Sequence, residues 1–166
     1  TFSRGAAGSN WELESRHRKL PLASWTPDYL APTRPTTDLP IAGELDGTIR
    51  MSSLPMTQIE AAVNAASLGF NSFIDTSNNF GGSFVSEFTG YHSSWYANLH
   101  SSPSDPAWCI AGGHIHVGTS TPTAGARSAT EISLRVLTGY LDTVIPAPGA
   151  GVMLALGMGC VARRRR

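Results

Sequence analysis

The sequence predicts a small, mainly β (or α+β) domain, of sandwich type, with one short helix and an apolar helix at its C-terminus. Three observations predict it. Charged residues make up only 14% of the 166, while Gly (17) and Pro (11) are plentiful. That composition suits short strands and turns better than helices, which need Glu and Lys on a wet face. Several segments alternate apolar and polar residues with period two. Only the segment 57–69 carries both a helical start and a helical stop.

Residues 1–40 come first, with Pro21, Pro27, Pro32, Pro35 and Pro40. Each proline removes a backbone donor and biases its predecessor to extended geometry. The expectation is an irregular Pro-rich arm pinned to the body by Trp11, Trp25 and Tyr29. Thr1-Phe2-Ser3-Arg4-Gly5 shows no basic start followed by an apolar run, so an export signal is expected upstream of Thr1.

Residues 41–143 read as a β-rich exported domain. Its helix at 57–69 opens on Thr57-Gln58-Ile59-Glu60, which has capping-box spacing. Ile59, Val63 and Ala66 share one face, Leu54 or Met56 staples the start, and Gly69 supplies the left-handed stop. A strand at 70–75 follows, then a turn at 78–82. Ser83 to Thr89 alternates, with Phe84 and Phe88 about Ser86. Cys109 to Thr119 is extended, and Ile132, Leu134 and Val136 alternate within the stretch Glu131–Val136. Thr130 could instead cap a helix there, but period two fits better.

Residues 144–166 form the third part. Gly149 to Ala162 is 14 residues without a charge or strongly polar group. As a helix it would span about 21 Å against a hydrocarbon core of about 30 Å, a marginal anchor. Pro146, Ala147 and Pro148 precede it; Arg163, Arg164, Arg165 and Arg166 follow it. Positive charge stays cytoplasmic, so the body is expected outside. Proline motif, apolar helix and terminal arginines in this order resemble the PEP-CTERM sorting signal of Gram-negative bacteria. The resemblance covers the tail only. It implies a substrate of an exosortase, a membrane processing enzyme, held in the inner membrane and then released to the cell surface or exopolysaccharide matrix. By position, Pro146, Ala147 and Pro148 would be the sorting motif and the four arginines the stop. Ala147 stands where the family has glutamate, which puts processing in question and leaves anchoring intact.

Charge and cysteine bound the function. Four of the twelve basic residues are the terminal arginines, so the body holds eight basic against twelve acidic residues. An acidic body excludes nucleic acid as a partner. Cys109 and Cys160 make no disulfide framework. The reading is an exported structural or adhesive envelope protein with no cofactor, leaning away from an enzyme. The alternatives are a secreted metal-dependent hydrolase on His114 and His116, two apart on one strand face, or a carbohydrate-binding module stacking sugars on Trp95 and Tyr96. His92, His100 and Asp105 could extend the metal set. Nucleophilic catalysis lacks a G-x-S-x-G elbow.

Overall fold

The computed structural model describes residues 1–5, 7–27, 43–77 and 82–145. A four-stranded mixed sheet forms the centre, from β1 (Phe2–Arg4), β2 (Asn10–Glu14), β5 (Asn71–Asp75) and β6 (His114–Val117), in the order β1-β6-β2-β5. β1 runs parallel to β6, β6 antiparallel to β2, and β2 parallel to β5. Strands β3 (Arg16–Arg18) and β4 (Ile49–Met51) pair antiparallel beside it. The helices are α1 (Met56–Ala65), α2 (Val85–Leu99) and α3 (Thr123–Val144).

The two faces of the sheet differ in chemistry, because successive strand residues point to opposite sides. Trp11, Leu13 and Ile115 face one side, where they join Ile59 and Val63 of α1, Phe70, and Ala129 of α3 in a dry core. Trp11 Nε1 donates to Ser133 Oγ at 3.2 Å, which satisfies the indole within that core. The other face carries Glu12, Glu14, His114 and His116, and α2 covers it. The protein is thus a three-layer α/β fold: α1 and α3, sheet, α2.

This corrects the expected mainly β or sandwich domain. The arm expected at 1–40 supplies β1, β2 and β3, and β2 is a central strand. Trp11 and Trp25 are buried as expected, while Tyr29 lies outside the described residues. The strand expected at 83–89 is the start of α2. Phe84 and Phe88 are four apart, a spacing that fits one face of a helix as well as one face of a strand. The strand expected at 131–136 lies within α3, where Ala126, Ala129, Ser133 and Val136 follow helical spacing. Thr130 is not a cap there; its hydroxyl donates to Ala126 O one turn back. The expected helix at 57–69 is α1, but it starts at Met56 with no side-chain cap, so the Thr57–Glu60 box does not form. Its left-handed exit begins early, at Ser67 (φ 50°), before Gly69 (φ 84°). Leu54 and Met56 both pack on the core, as a staple would. β5 and β6 fall within the strands expected.

The turn at 78–82 is described only at Gly82, and residues 146–166 lie outside the described residues. The sorting motif, apolar segment and arginines fall there. Among the described residues no helix is long and apolar enough to cross a membrane.

Candidate functional site

The ionisable face is built by register. β2 places Glu12 opposite His116 and Glu14 opposite His114, and β5 sets Asp75 beside Glu14. All five side chains therefore share one side of the sheet. Glu14, His114 and His116 are 2%, 1% and 5% exposed, so their polar atoms meet one another and their neighbours rather than water.

His116 is the centre. Its Nδ1 lies 2.8 Å from Glu14 Oε1 and 3.8 Å from Glu12 Oε2. Glu14 Oε1 sits off the line of a hydrogen bond and has no other partner. Nε2 of His116 is also buried and unpartnered. Burial, then the charges of Glu14 and Asp75, push the Glu12 carboxyl up from its ordinary range. His114 is committed elsewhere: Nδ1 meets Thr1 Oγ1 at 2.5 Å and Nε2 meets Ser3 Oγ at 2.8 Å. Burial, then His116 and His17, keep it neutral.

Helix α2 lies antiparallel along β6. Ser93 Oγ accepts from Gly113 N at 3.0 Å, and a Cβ on Gly90 would stand 3.0 Å from His114 Cβ. One more turn back along the helix is Ser86, 6% exposed. Four helical residues advance about 6 Å and two strand residues about 6.6 Å, so the step from Gly90 to Ser86 matches the step from His114 to His116. That match places Ser86 toward the His116 end of the strand, although His116 Nε2 has no hydrogen-bond partner and Ser86 Oγ is not bonded to it. Ser86 also lies in the first turn of a helix whose N-terminus has no side-chain cap. The amide N–H groups there lack intrahelical partners, and the positive end of the helix dipole is at the same place.

Glu87, next in the chain, faces β3. It accepts from Arg18 N and lies 3.5 Å from His17 Nδ1. Burial raises its carboxyl to about 9, helped by Glu14 and opposed by the Arg18 N–H. Burial, then His116, lowers His17 to about 4. Near neutrality both are uncharged, and their contact is a neutral hydrogen bond rather than an ion pair. A neutral Glu87 leaves the positive end of α2 uncompensated. A groove of about 560 Å³, lined by Arg18, Leu20, Pro21, Gly82 and Ser83 among others, opens beside this N-terminus.

Beyond His114, whose ring lies 4.8 Å from that of His116, the other sequence candidates sit further along α2 or past its C-terminal end. Trp95 and Tyr96 sit further along α2 with ring centroids 6.4 Å apart, Tyr96 42% exposed. His100, at the far end of α2, contacts Asp105 at 2.8 Å through Nδ1, and His92 packs on Phe88 at 4.4 Å. Cys109 N donates to His100 O, which puts that thiol at the wrong end of α2 to meet His116. The sequence singled out His116 but passed over Glu14 and Ser86. The signal for Glu14 was the alternation Trp11-Glu12-Leu13-Glu14, a strand with one apolar and one acidic face.

The site holds a buried imidazole against a buried carboxylate on one face of a three-layer α/β scaffold. No protein-family model matches the chain, and no curated protein matches it. Solved structures do. Pyrrolidone carboxyl peptidase from the hyperthermophile Pyrococcus furiosus superposes with a TM-score of 0.61 at 18% identity, over 84% of this chain and 68% of that one. A point mutant of the same enzyme gives 0.62 at 18% identity, over 84% and 68%. A structure described as Pf-PCP(1-204)-C gives 0.62 at 15%, over 88% and 69%.

The likeness is one of fold, and it corrects the functional expectation. The expectation of a structural or adhesive envelope protein, leaning away from an enzyme, is set aside, because the chain superposes on solved structures of a pyrrolidone carboxyl peptidase. The expected localisation at the cell surface or in an exopolysaccharide matrix is set aside on the same likeness of fold; the tail expected to anchor the chain lies outside the described residues, among which no helix is long and apolar enough to cross a membrane. The hydrolase alternative stands closer to this fold than the envelope reading does.

Proposed function

We propose that the chain hydrolyses an amide bond, with Ser86 as nucleophile, His116 as general base and Glu14 as the carboxylate that orients His116. The observation that carries this is the buried His116 ring, with Nδ1 2.8 Å from Glu14 Oε1 and Nε2 without a partner. Such a ring carries its proton on Nδ1 and presents a lone pair at Nε2.

In the reaction Ser86 Oγ attacks the substrate carbonyl carbon as its proton passes to His116 Nε2. The carbonyl oxygen gains the charge, which the uncapped amides of α2 can receive. The tetrahedral adduct collapses, the C–N bond breaks, and His116 returns the proton to the departing amine. A water then repeats the sequence on the ester and releases acid and Ser86. Glu14 stabilises the imidazolium that forms at each proton transfer. The misaligned contact in the free protein is compatible with this, since catalytic hydrogen bonds often straighten only when substrate binds.

The similar structures are named for a peptidase acting at a pyrrolidone carboxyl group, so a fluorogenic amide of that acid is the first substrate to test. Ser86→Ala and His116→Ala should each lower kcat roughly a thousandfold or more, and Glu14→Gln by roughly a hundredfold or more, with thermal melts showing the variants folded. Hydrolysis that survives Ser86→Ala at full rate overturns the assignment.

A further inference from the structure

We propose that Glu12, Glu14 and His116 form a binding site for a divalent transition ion of the zinc type, and that the bound ion silences His116 as a base. The silencing rests on the hydrolase reading above; the site itself does not.

One donor atom from each of the three residues lies within 4.8 Å of the others. A tetrahedral ion with ligands at roughly 2.1 Å holds its donors ~3.4 Å apart. The two separations from His116 Nδ1, 2.8 Å and 3.8 Å, straddle that value. Shifts of about half an ångström would seat an ion, which rotation of two carboxylates supplies. One imidazole with two carboxylates is an N/O set that suits zinc or cobalt better than calcium.

A second observation points to a cation. Glu14 is 2% exposed, yet its Oε1, 2.8 Å from His116 Nδ1, makes no aligned hydrogen bond and faces the cluster. Burying a carboxylate oxygen without a partner is costly, and a cation at the centre would remove that cost. Asp75 sets a further carboxyl beside Glu14 and against Glu12. Catalysis as proposed needs only Glu14, which leaves Glu12 without a part in it.

Binding and catalysis compete for one atom. An ion on Nδ1 takes the lone pair that a proton otherwise occupies, and the displaced proton moves to Nε2. With Nε2 protonated, His116 has nothing with which to accept the Ser86 proton, and hydrolysis stops until the ion leaves.

The test is calorimetric titration of the metal-stripped full chain with Zn²⁺ alone, with Co²⁺ absorption as a second probe. One equivalent should bind, and zinc should move the His116 Nδ1 nitrogen resonance in the unaltered protein. Glu12→Gln should weaken binding at least about tenfold while zinc-free hydrolysis stays within about threefold. Zinc should inhibit the unaltered protein over the range in which it saturates. No saturable heat, or affinity unchanged by Glu12→Gln, overturns the site. Binding as expected in a protein that hydrolyses nothing without zinc upholds the site and overturns the silencing together with the hydrolase reading.

Discussion

Glu87 and His17 tie stability to pH in opposite directions. The Glu87 carboxyl is raised from an ordinary 4.5 to about 9. The folded state therefore holds a proton that the unfolded chain gives up. That contribution is whole below about pH 4.5 and is lost progressively as pH climbs toward 9. His17 is lowered from 6.5 to about 4. The folded state resists its protonation, so stability present above pH 6.5 is lost as pH falls toward 4. Glu87→Gln keeps an oxygen to accept from Arg18 N and removes the ionisation. The variant should melt with the unaltered protein near pH 4.5 and be more stable at pH 8, on the order of 2 kcal/mol. Paired thermal melts at the two pH values check it; equal stability at pH 8 means Glu87 is not held protonated. None of this was legible beforehand, because a Glu after Ser86 in an expected strand reads as a solvated side chain.

At the scale of elements, α2 decides whether the site exists. It lies close enough to the sheet only because Gly90 has no side chain: a Cβ there would stand 2.5 Å from His17 Nδ1 and 3.0 Å from His114 Cβ. Gly90→Ala gains about 1 kcal/mol of helix propensity, but the ring and the strand behind it cannot yield, and overpacking costs roughly 1–3 kcal/mol. Sterics should win. The variant should melt lower and, because Ser86 is lifted with the helix, lose at least about tenfold in kcat; an unchanged kcat with a raised melting point would mean that α2 is not tightly seated. The same contact explains why the sequence hid this helix. α2 buries Ser86, Glu87, Gly90 and Ser94 together with Tyr91 and Ala97, so polar and small residues break up its apolar stripe. α3 hid for a related reason: its buried face is Ala129 and Ser133, too small to outweigh the short alternation at 132–136. α1 was legible because Ile59 and Val63 meet an apolar face of the sheet. His116 was legible because its strand is dense in β-formers, and Glu14 was not, because burying a Glu there makes sense only once the ionisable face is known.

The whole molecule divides its work between the two sides of one sheet, and β2 belongs to both. Trp11 and Leu13 point into the core with α1 and α3, while Glu12 and Glu14 between and beside them point toward His116. Strand geometry thus separates what holds the fold from what acts, residue by residue, along five positions. Leu13→Ala tests the separation. Leu13 is fully buried, and removing a buried Leu side chain costs roughly 2.7–5 kcal/mol through lost burial and the cavity left behind. At about 2–4 °C per kcal/mol for a chain of this size, the melting temperature should drop by roughly 10 °C. The cavity would open on the side away from His116, and the backbone hydrogen bonds that pair β2 with β5 and β6 do not depend on that side chain. Well below the new melting point, zinc affinity and kcat should therefore stay within about threefold of the unaltered protein. Glu12→Gln should do the reverse, weakening zinc while barely moving the melt. Calorimetry and kinetics on the two variants at one temperature check the pair. If Leu13→Ala lost activity in step with stability at a temperature where it is fully folded, the two faces would be coupled through the strand, and the site would have to be treated as part of the core.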